Sequence, residues 1–259
     1  RTIIEMLNEN DYISLVSYST EATVDLPTTQ MNKTGKAQAI QALTNIYASG
    51  QTNLWSGLEK GLNCVNKSNS NRMTHLVLLT DGLPNIVPPR GHLPMLDRYK
   101  ETNGLNTIIH TFGFGYSLDS KLLYDIANEG SGQYGFIPDA SFVGTVFVNT
   151  ISNVLLTFGK NVELFIETEE DVRINENELI VNHKHNKIYC GNNTVNGLRI
   201  QLGTLQYEQN KTVNIPLLFE MPKLKHNNED LLTVTIRYIM QDGSQYNHVS
   251  SFDKNITFN

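Results

Sequence analysis

A chain of 259 residues exceeds one compact core of ordinary size, so two domains are expected. Hydrophobic residues make up 39% and charged residues 18%, which excludes the polar, highly charged make-up of a disordered chain and fits a folded, soluble one. A net charge of -6 without any run of Lys or Arg excludes a basic nucleic-acid surface, and no apolar stretch approaches the roughly 20 residues of a membrane span.

The chain opens inside an apolar helical pattern (Ile3, Ile4, Leu7), with neither an initiating Met nor a signal peptide. That start is expected of the ordered part of something longer. Residues 12–18 alternate as a strand, and residues 22–26 form a second, stopped by Pro27. The two are expected to make a hairpin at a sheet edge. Residues 34–46 carry Ala39, Ile40, Leu43 and Ile46 at helical spacing. A turn at Gly50, Gln51, Thr52 and Asn53 leads into a helix over residues 54–65, with Leu54, Leu58, Leu62 and Val65 on one face.

Residues 74–80 are a near-continuous apolar run, the pattern of a central strand in a parallel sheet covered on both faces. Asp81 and Gly82 end it. A long loop with Pro84, Pro88, Pro89 and Pro94 precedes a polar helix over residues 95–103. A strand at 107–112, a helix at 119–129, a strand at 134–137 and a helix at 142–158 follow, the last apolar through Val143, Val146, Phe147, Val154 and Leu155. This alternation predicts a doubly wound α/β domain with a mostly parallel sheet over residues 1–158. In such sheets the binding crevice lies outside the C-terminal strand ends. Thr80, Asp81, Gly113, Phe114 and Gly115 fall at that edge, within reach of the turn at residues 51–53.

Past residue 158 the hydrophobic period changes to two. Segments 162–166, 187–190, 198–202, 212–219 and 231–240 read as strands separated by Asn/Gly turns, so residues 159–259 are expected to form an antiparallel β-sandwich domain. Cys64 and Cys190 fall in different domains and read as two small buried thiols, which leans towards an intracellular setting. Sequons at Asn32, Asn66, Asn192, Asn210 and Asn255 are about as many as chance supplies in a chain so rich in Asn, Ser and Thr.

No catalytic signature is present: no Gly-x-Ser-x-Gly elbow, no His-Glu-x-x-His, no phosphate loop and no dinucleotide-binding glycine motif. The expectation is a binding module, not an enzyme. His183 and His185 share a strand face without a third ligand at useful spacing and read as exposed surface. Thr52 and Asp81 stand out because a hydroxyl at a helix start and a carboxylate at a strand end offer oxygens to one crevice. Oxygen donors suit a hard ion such as Mg2+. The competing reading makes Thr52 a helix N-cap and Asp81 a turn residue.

Four segments in order carry a family resemblance: residues 12–19, residues 50–58, residues 78–85 (Leu-Leu-Thr-Asp-Gly-Leu-Pro-Asn), and residues 111–115 (Thr-Phe-Gly-Phe-Gly) with 118–127 and 132–134. Together they resemble the von Willebrand factor A domain. The following β-domain is similar to that of inter-α-inhibitor-like and intracellular members. The resemblance implies a metal-ion-dependent adhesion site whose Thr matches Thr52 and whose second Asp matches Asp81. Asn53, Gly82 and Asn85 would face the partner, and a partner carboxylate would complete the coordination of Mg2+. The family's first strand, with its Asp-x-Ser-x-Ser motif, has no counterpart in this sequence. The expectation is that an N-terminal segment or another chain completes the sheet. The alternatives are a metal-free structural or assembly protein, for example in a virus particle, and an accessory recognition domain of a ubiquitin ligase or a self-processing protein.

Overall fold

A short helix, α1 (Thr2–Met6), leads into a hairpin of β1 (Tyr12–Tyr18) and β2 (Ala22–Gln30), paired antiparallel. β2 runs on through Pro27, past its expected stop. Proline lacks an amide hydrogen but is tolerated on an edge strand or at an irregularity, and the register shifts between Ile13 and Leu15, the step opposite Pro27. Asn32 then caps α2 (Lys33–Thr44), its side-chain oxygen accepting from the Gly35 amide at 2.9 Å.

The alternation that follows is α3 (Leu54–Lys67), β3 (His75–Thr80), α4 (His92–Asn103), β4 (Ile108–Phe114), α5 (Ser120–Glu129), β5 (Ser131–Ile137) and α6 (Val143–Leu156). α4 begins earlier than expected because Pro94 sits in its first turn, where the missing amide costs no helical hydrogen bond. Asp119 caps α5 by accepting from the Leu122 amide at 2.9 Å. β3, β4 and β5 form a parallel sheet in that order, with Thr80, Gly113 and Phe136 level with one another at its C-terminal edge.

The computed structural model describes residues 1–67, 72–105, 107–169, 172–181, 183, 185–190, 194–219 and 230–253. The side chains of Phe147, Leu155 and Cys190, and all of Asn192 and Asn255, lie outside the described residues. The chain divides into two units, Arg1–Leu155 and Leu156–Asn259.

The burial of β3 departs from expectation. Its residues are mostly half-buried and Leu79 is 46% exposed, whereas β4 is buried along all but its last residue. The reason is pairing: β3 bonds β4 on one side, and among the described residues no strand bonds its other side. The core of this unit is correspondingly divided. One cluster gathers Leu54, Leu58, Leu62, Leu78, Leu96, Ile109, Leu123 and Ile126 around α3 and the parallel sheet. A separate one holds Ile4, Leu26, Met31 and Ala39 under the hairpin.

The second unit comprises β6 (Thr157–Thr168), β7 (Val172–Ile174), β8 (His185–Cys190), β9 (Thr194–Gln206), β10 (Leu217–Phe219), β11 (Asp230–Met240) and β12 (Gln245–Asp253). An antiparallel sheet runs β12-β11-β6-β9-β8, and β7 pairs with β10. Alternate residues of the central strands (Val162 and Ile166, Leu198 and Ile200, Val234 and Ile236) point to one face and pack with Ile174 and Leu217 in a single cluster. The strand expected at 212–219 shortens to β10. β7 and β12 carry too little apolar alternation to be read from sequence.

Candidate functional site

β1 and β3 lie side by side without a backbone hydrogen bond between them among the described residues. Side chains tie them at both ends. Ahead of the two strands, the Arg72 guanidinium stands 4.3 Å from the centre of the Tyr12 ring and donates to the Asn10 carbonyl at 3.4 Å. At the far ends, the Tyr18 hydroxyl donates to the Leu79 carbonyl at 2.7 Å. The matched ends show that β1 and β3 run in the same direction. Neighbouring strands sit about 4.8 Å apart, and it takes a whole tyrosine side chain to cross from β1 to β3. Among the described residues, the facing edges of β1 and β3 have no strand partner.

α3 packs against both sides of this gap, through Leu54, Leu58 and Leu62 with Tyr18, Leu76 and Leu78. A Cβ on Gly57 would lie 2.6 Å from the Tyr18 ring, so glycine is what lets the ring lie against the helix. Burial holds the Tyr18 hydroxyl above its ordinary pKa. A hydrogen bond with Thr80 acts against that shift, and the nearby charge of Asp81 adds to it.

The loop before α3 spans the top of the gap. Gly50, at φ 71°, approaches the Ser19–Thr20 turn so closely that a Cβ would meet Thr20 Oγ1 at 2.7 Å. On the hairpin side, Gln51 N donates to Thr20 Oγ1 at 3.2 Å, Asn53 N to the Ser19 carbonyl at 2.8 Å, and Asn53 Nδ2 to the Thr20 carbonyl at 3.0 Å. On the β3 side, Thr52 N donates to Asn85 Oδ1 at 2.7 Å. In return, the amides of Asn85 and Ile86 donate to the Thr52 carbonyl at 3.1 and 3.4 Å. The loop around Thr52 is thereby held to both halves of the sheet, to the hairpin through Gln51 and Asn53 and to the β3 side through Thr52 itself.

Asn53 caps α3, its Oδ1 accepting from Ser56 N at 3.1 Å, so both polar ends of its side chain are engaged. Asn85 spends its side-chain oxygen on Thr52. Asp81 is exposed at the end of β3, and Gly82 approaches Thr52, where a Cβ would lie 3.9 Å from the Thr52 hydroxyl. The Thr80 hydroxyl donates to the Gly82 carbonyl at 3.2 Å and fixes the turn between them. Thr52, Asp81, Gly82 and Asn85 are thus gathered by two loops at the C-terminal edge of the parallel strands. Thr80, expected at this edge from the end of its strand, belongs to the same neighbourhood, as does Tyr18, which sequence reasoning did not single out as a site residue. The only sequence signal of Tyr18 is that it closes a strand at this edge.

Among the described residues, no three His, Cys, Asp or Glu side chains gather as a metal cage. One hydroxyl and one carboxylate fall short of the octahedron that Mg2+ demands. These residues alone do not fit the ion, and further oxygen donors would have to come from outside them. His183 and His185 make a local contact, His185 Nδ1 standing 3.0 Å from the His183 carbonyl. The other histidine pair is structural. His110 Nδ1 accepts from Gln133 N at 3.2 Å, and its Nε2 stands 3.1 Å from His75 Nδ1, with the two rings stacked. Burial pushes the His110 pKa down to about 4.

Known proteins resemble this architecture. The protein YfbK of Escherichia coli (strain K12) is 28% identical over 171 residues, which cover 64% of this chain and 29% of that protein. Inter-alpha-trypsin inhibitor heavy chain H3 of Mus musculus is 27% identical over 172 residues, covering 62% of this chain and 19% of that protein. The chain therefore spans less than a third of either curated relative's length. A solved von Willebrand factor type A structure from Catenulispora acidiphila superposes on 98% of this chain and 60% of its own, with a TM-score of 0.67 at 16% identity, a likeness of fold alone. The model of the von Willebrand factor type A domain matches residues 1–147, more than half of the sequence, and the chain belongs to that family.

Proposed function

We propose that this chain is a non-catalytic protein-binding module whose partner meets the C-terminal edge of the parallel strands, at Thr52, Asp81, Gly82 and Asn85, with Asn53 holding the loop behind them. Domains of this family often bind protein partners, some through a metal-ion-dependent adhesion site. The observation that carries the reading is the loop around Thr52. Gln51 and Asn53 bond the hairpin turn while Thr52 bonds the segment after β3, leaving a hydroxyl and the exposed Asp81 carboxylate at the same edge.

A metal-assisted version of this contact needs oxygens that the described residues lack. An extended strand in the gap between β1 and β3, supplied by sequence N-terminal to Arg1 or by another chain, would complete the sheet. Running parallel to both neighbours, it would end beside Thr52 and Asp81. With those donors in place, Mg2+ held at the edge would accept a carboxylate from the partner protein.

A metal-free assembly or accessory-recognition role is the second reading. It is favoured by the loop after β3, where Leu83 is 56% and Val87 60% exposed, an apolar contact surface that uses no ion. Titration of the full-length protein with Mg2+ and Mn2+ by calorimetry, beside Asp81→Ala, separates the two. Saturable binding that the substitution abolishes supports the adhesion site. No binding in either protein leaves the metal-free role.

A further inference from the structure

The described edges of the molecule are not equally protected. A free strand edge offers unpaired backbone groups to any other strand, and folded proteins guard such edges with charge, proline or covering structure. β2 carries Asp25 and Pro27 and an irregular register. β8 carries Lys187, ion-paired with Glu176. The outer edge of β5 is met by α6, where Asn153 Nδ2 donates to Gln133 Oε1 at 3.1 Å.

Among the described residues, β12 has none of these devices. Its nine residues, Gln-Tyr-Asn-His-Val-Ser-Ser-Phe-Asp, hold no Lys, Arg, Glu or Pro, and the single acid, Asp253, comes last. Its pairing with β11 is regular from Gln245 to Phe252. On its exposed faces, Tyr246 is 43%, Val249 52% and Phe252 54% accessible, an apolar load unusual for a solvated edge.

The sequence of β12 is also complementary to itself. Opposed residues of an antiparallel pair project to the same face, so two copies related by a two-fold axis through the sheet can pair with Val249 opposite Val249. That register sets Tyr246 against Phe252 of the second copy, twice over. It also sets His248 against Ser250, Asn247 against Ser251 and Gln245 against Asp253. Aromatic cross-strand pairs are among the stabilising ones, and no like charges meet.

We propose that β12 is a self-association edge: two copies of the chain join antiparallel through β12 about an axis at Val249, continuing one sheet across both. One strand pair covers less surface than the ~1,600 Å² of a standard stable complex, so association in the micromolar range is expected.

The test is sedimentation velocity of the full-length protein from about 1 to 300 µM, with three variants. Val249→Lys places two ammonium groups opposite each other on the axis and should weaken association at least tenfold, while Val249→Thr leaves it nearly unchanged. Val249→Cys should yield a disulfide-linked dimer under mild oxidation. Ser251→Cys, whose counterpart across the axis is Asn247, should not. Circular dichroism melting of each variant separates loss of pairing from loss of fold. A protein that stays monomeric across the range overturns the proposal, as would a later segment of the polypeptide occupying this edge. A dimer unaffected by Val249→Lys, or cross-linked equally through residue 251, overturns it too.

Discussion

The two units treat the middle of a sheet in opposite ways. In the C-terminal unit, β6 is hydrogen-bonded on both sides, to β11 and to β9, and the apolar residues beneath it form one cluster. In the N-terminal unit, the place between β1 and β3 holds no backbone ladder among the described residues, and the core divides into a cluster under α3 that spans the gap and a separate one under the hairpin. What crosses that gap is Tyr18, Arg72 and the loop carrying Thr52. Single hydrogen bonds of this kind contribute about 1 kcal/mol net each. A central strand would add a backbone ladder where these side chains now reach across. The same gap opens at the edge where Thr52 and Asp81 lie.

The strongest way to break the contrast is through α3, which packs on both sides of the gap. Leu58→Ala removes a fully buried side chain there and should cost about 2–5 kcal/mol. The sole tryptophan, Trp55, lies buried in the same helix and reports this unit by fluorescence in a urea titration. Ile200→Ala should cost a similar amount in the other sheet while leaving the Trp55 midpoint in place. A coincident shift of that midpoint would show that the units unfold together.

Acid should act on the N-terminal unit next. His110 is neutral in the fold, its Nδ1 accepting from Gln133 N, and its pKa is lowered from 6.5 to about 4. A lowered histidine pKa means that the unfolded chain binds the proton more readily. The stability it carries is therefore complete above pH 6.5 and drains as pH falls through about 4. The loss should be on the order of a few kcal/mol, read as a falling melting temperature that His110→Gln makes less steep. A melting curve equally steep in the variant would assign the acid sensitivity to other groups.

Smaller effects address the tie across the gap. Gly57→Ala should displace the Tyr18 ring and cost about 1–3 kcal/mol, as overpacking does. Tyr18→Phe, which keeps the ring and loses the hydroxyl's bonds to the Leu79 carbonyl and Thr80, should cost about 1–2 kcal/mol. Were an added strand to close the gap, both costs should shrink, so repeating the pair in a longer native chain sharpens the comparison. Asp81→Ala should change stability least, within about 0.5 kcal/mol, because the side chain is exposed. Under the proposed function, its main effect is expected on partner binding.

Much of this molecule was legible in one dimension. Helical spacing marked α3 through Leu54, Leu58 and Leu62, the alternation of helix and strand placed a helix at 119–129, and the switch to a period of two after residue 158 marked the second unit. The ordered segments around Tyr12, Thr52, Asp81 and Gly113 carried the family. Such features are local: they depend on a helix repeat, a cap or a turn within a few residues of each other. Other features were not local. β3 reads as a fully buried central strand because its composition says nothing of which neighbour is missing, and only pairing leaves Leu79 exposed. β12 is too polar to announce a strand, and β11 templates it through the ladder. Asn85 came to the site by resemblance, and only the fold shows its bond to the Thr52 amide, 33 positions away. The sequence by itself determined most of the elements, their order and the family. The tertiary structure decided which strand edges are satisfied and which residues clamp the candidate site, because hydrogen bonds between distant segments exist only once the chain has closed on itself.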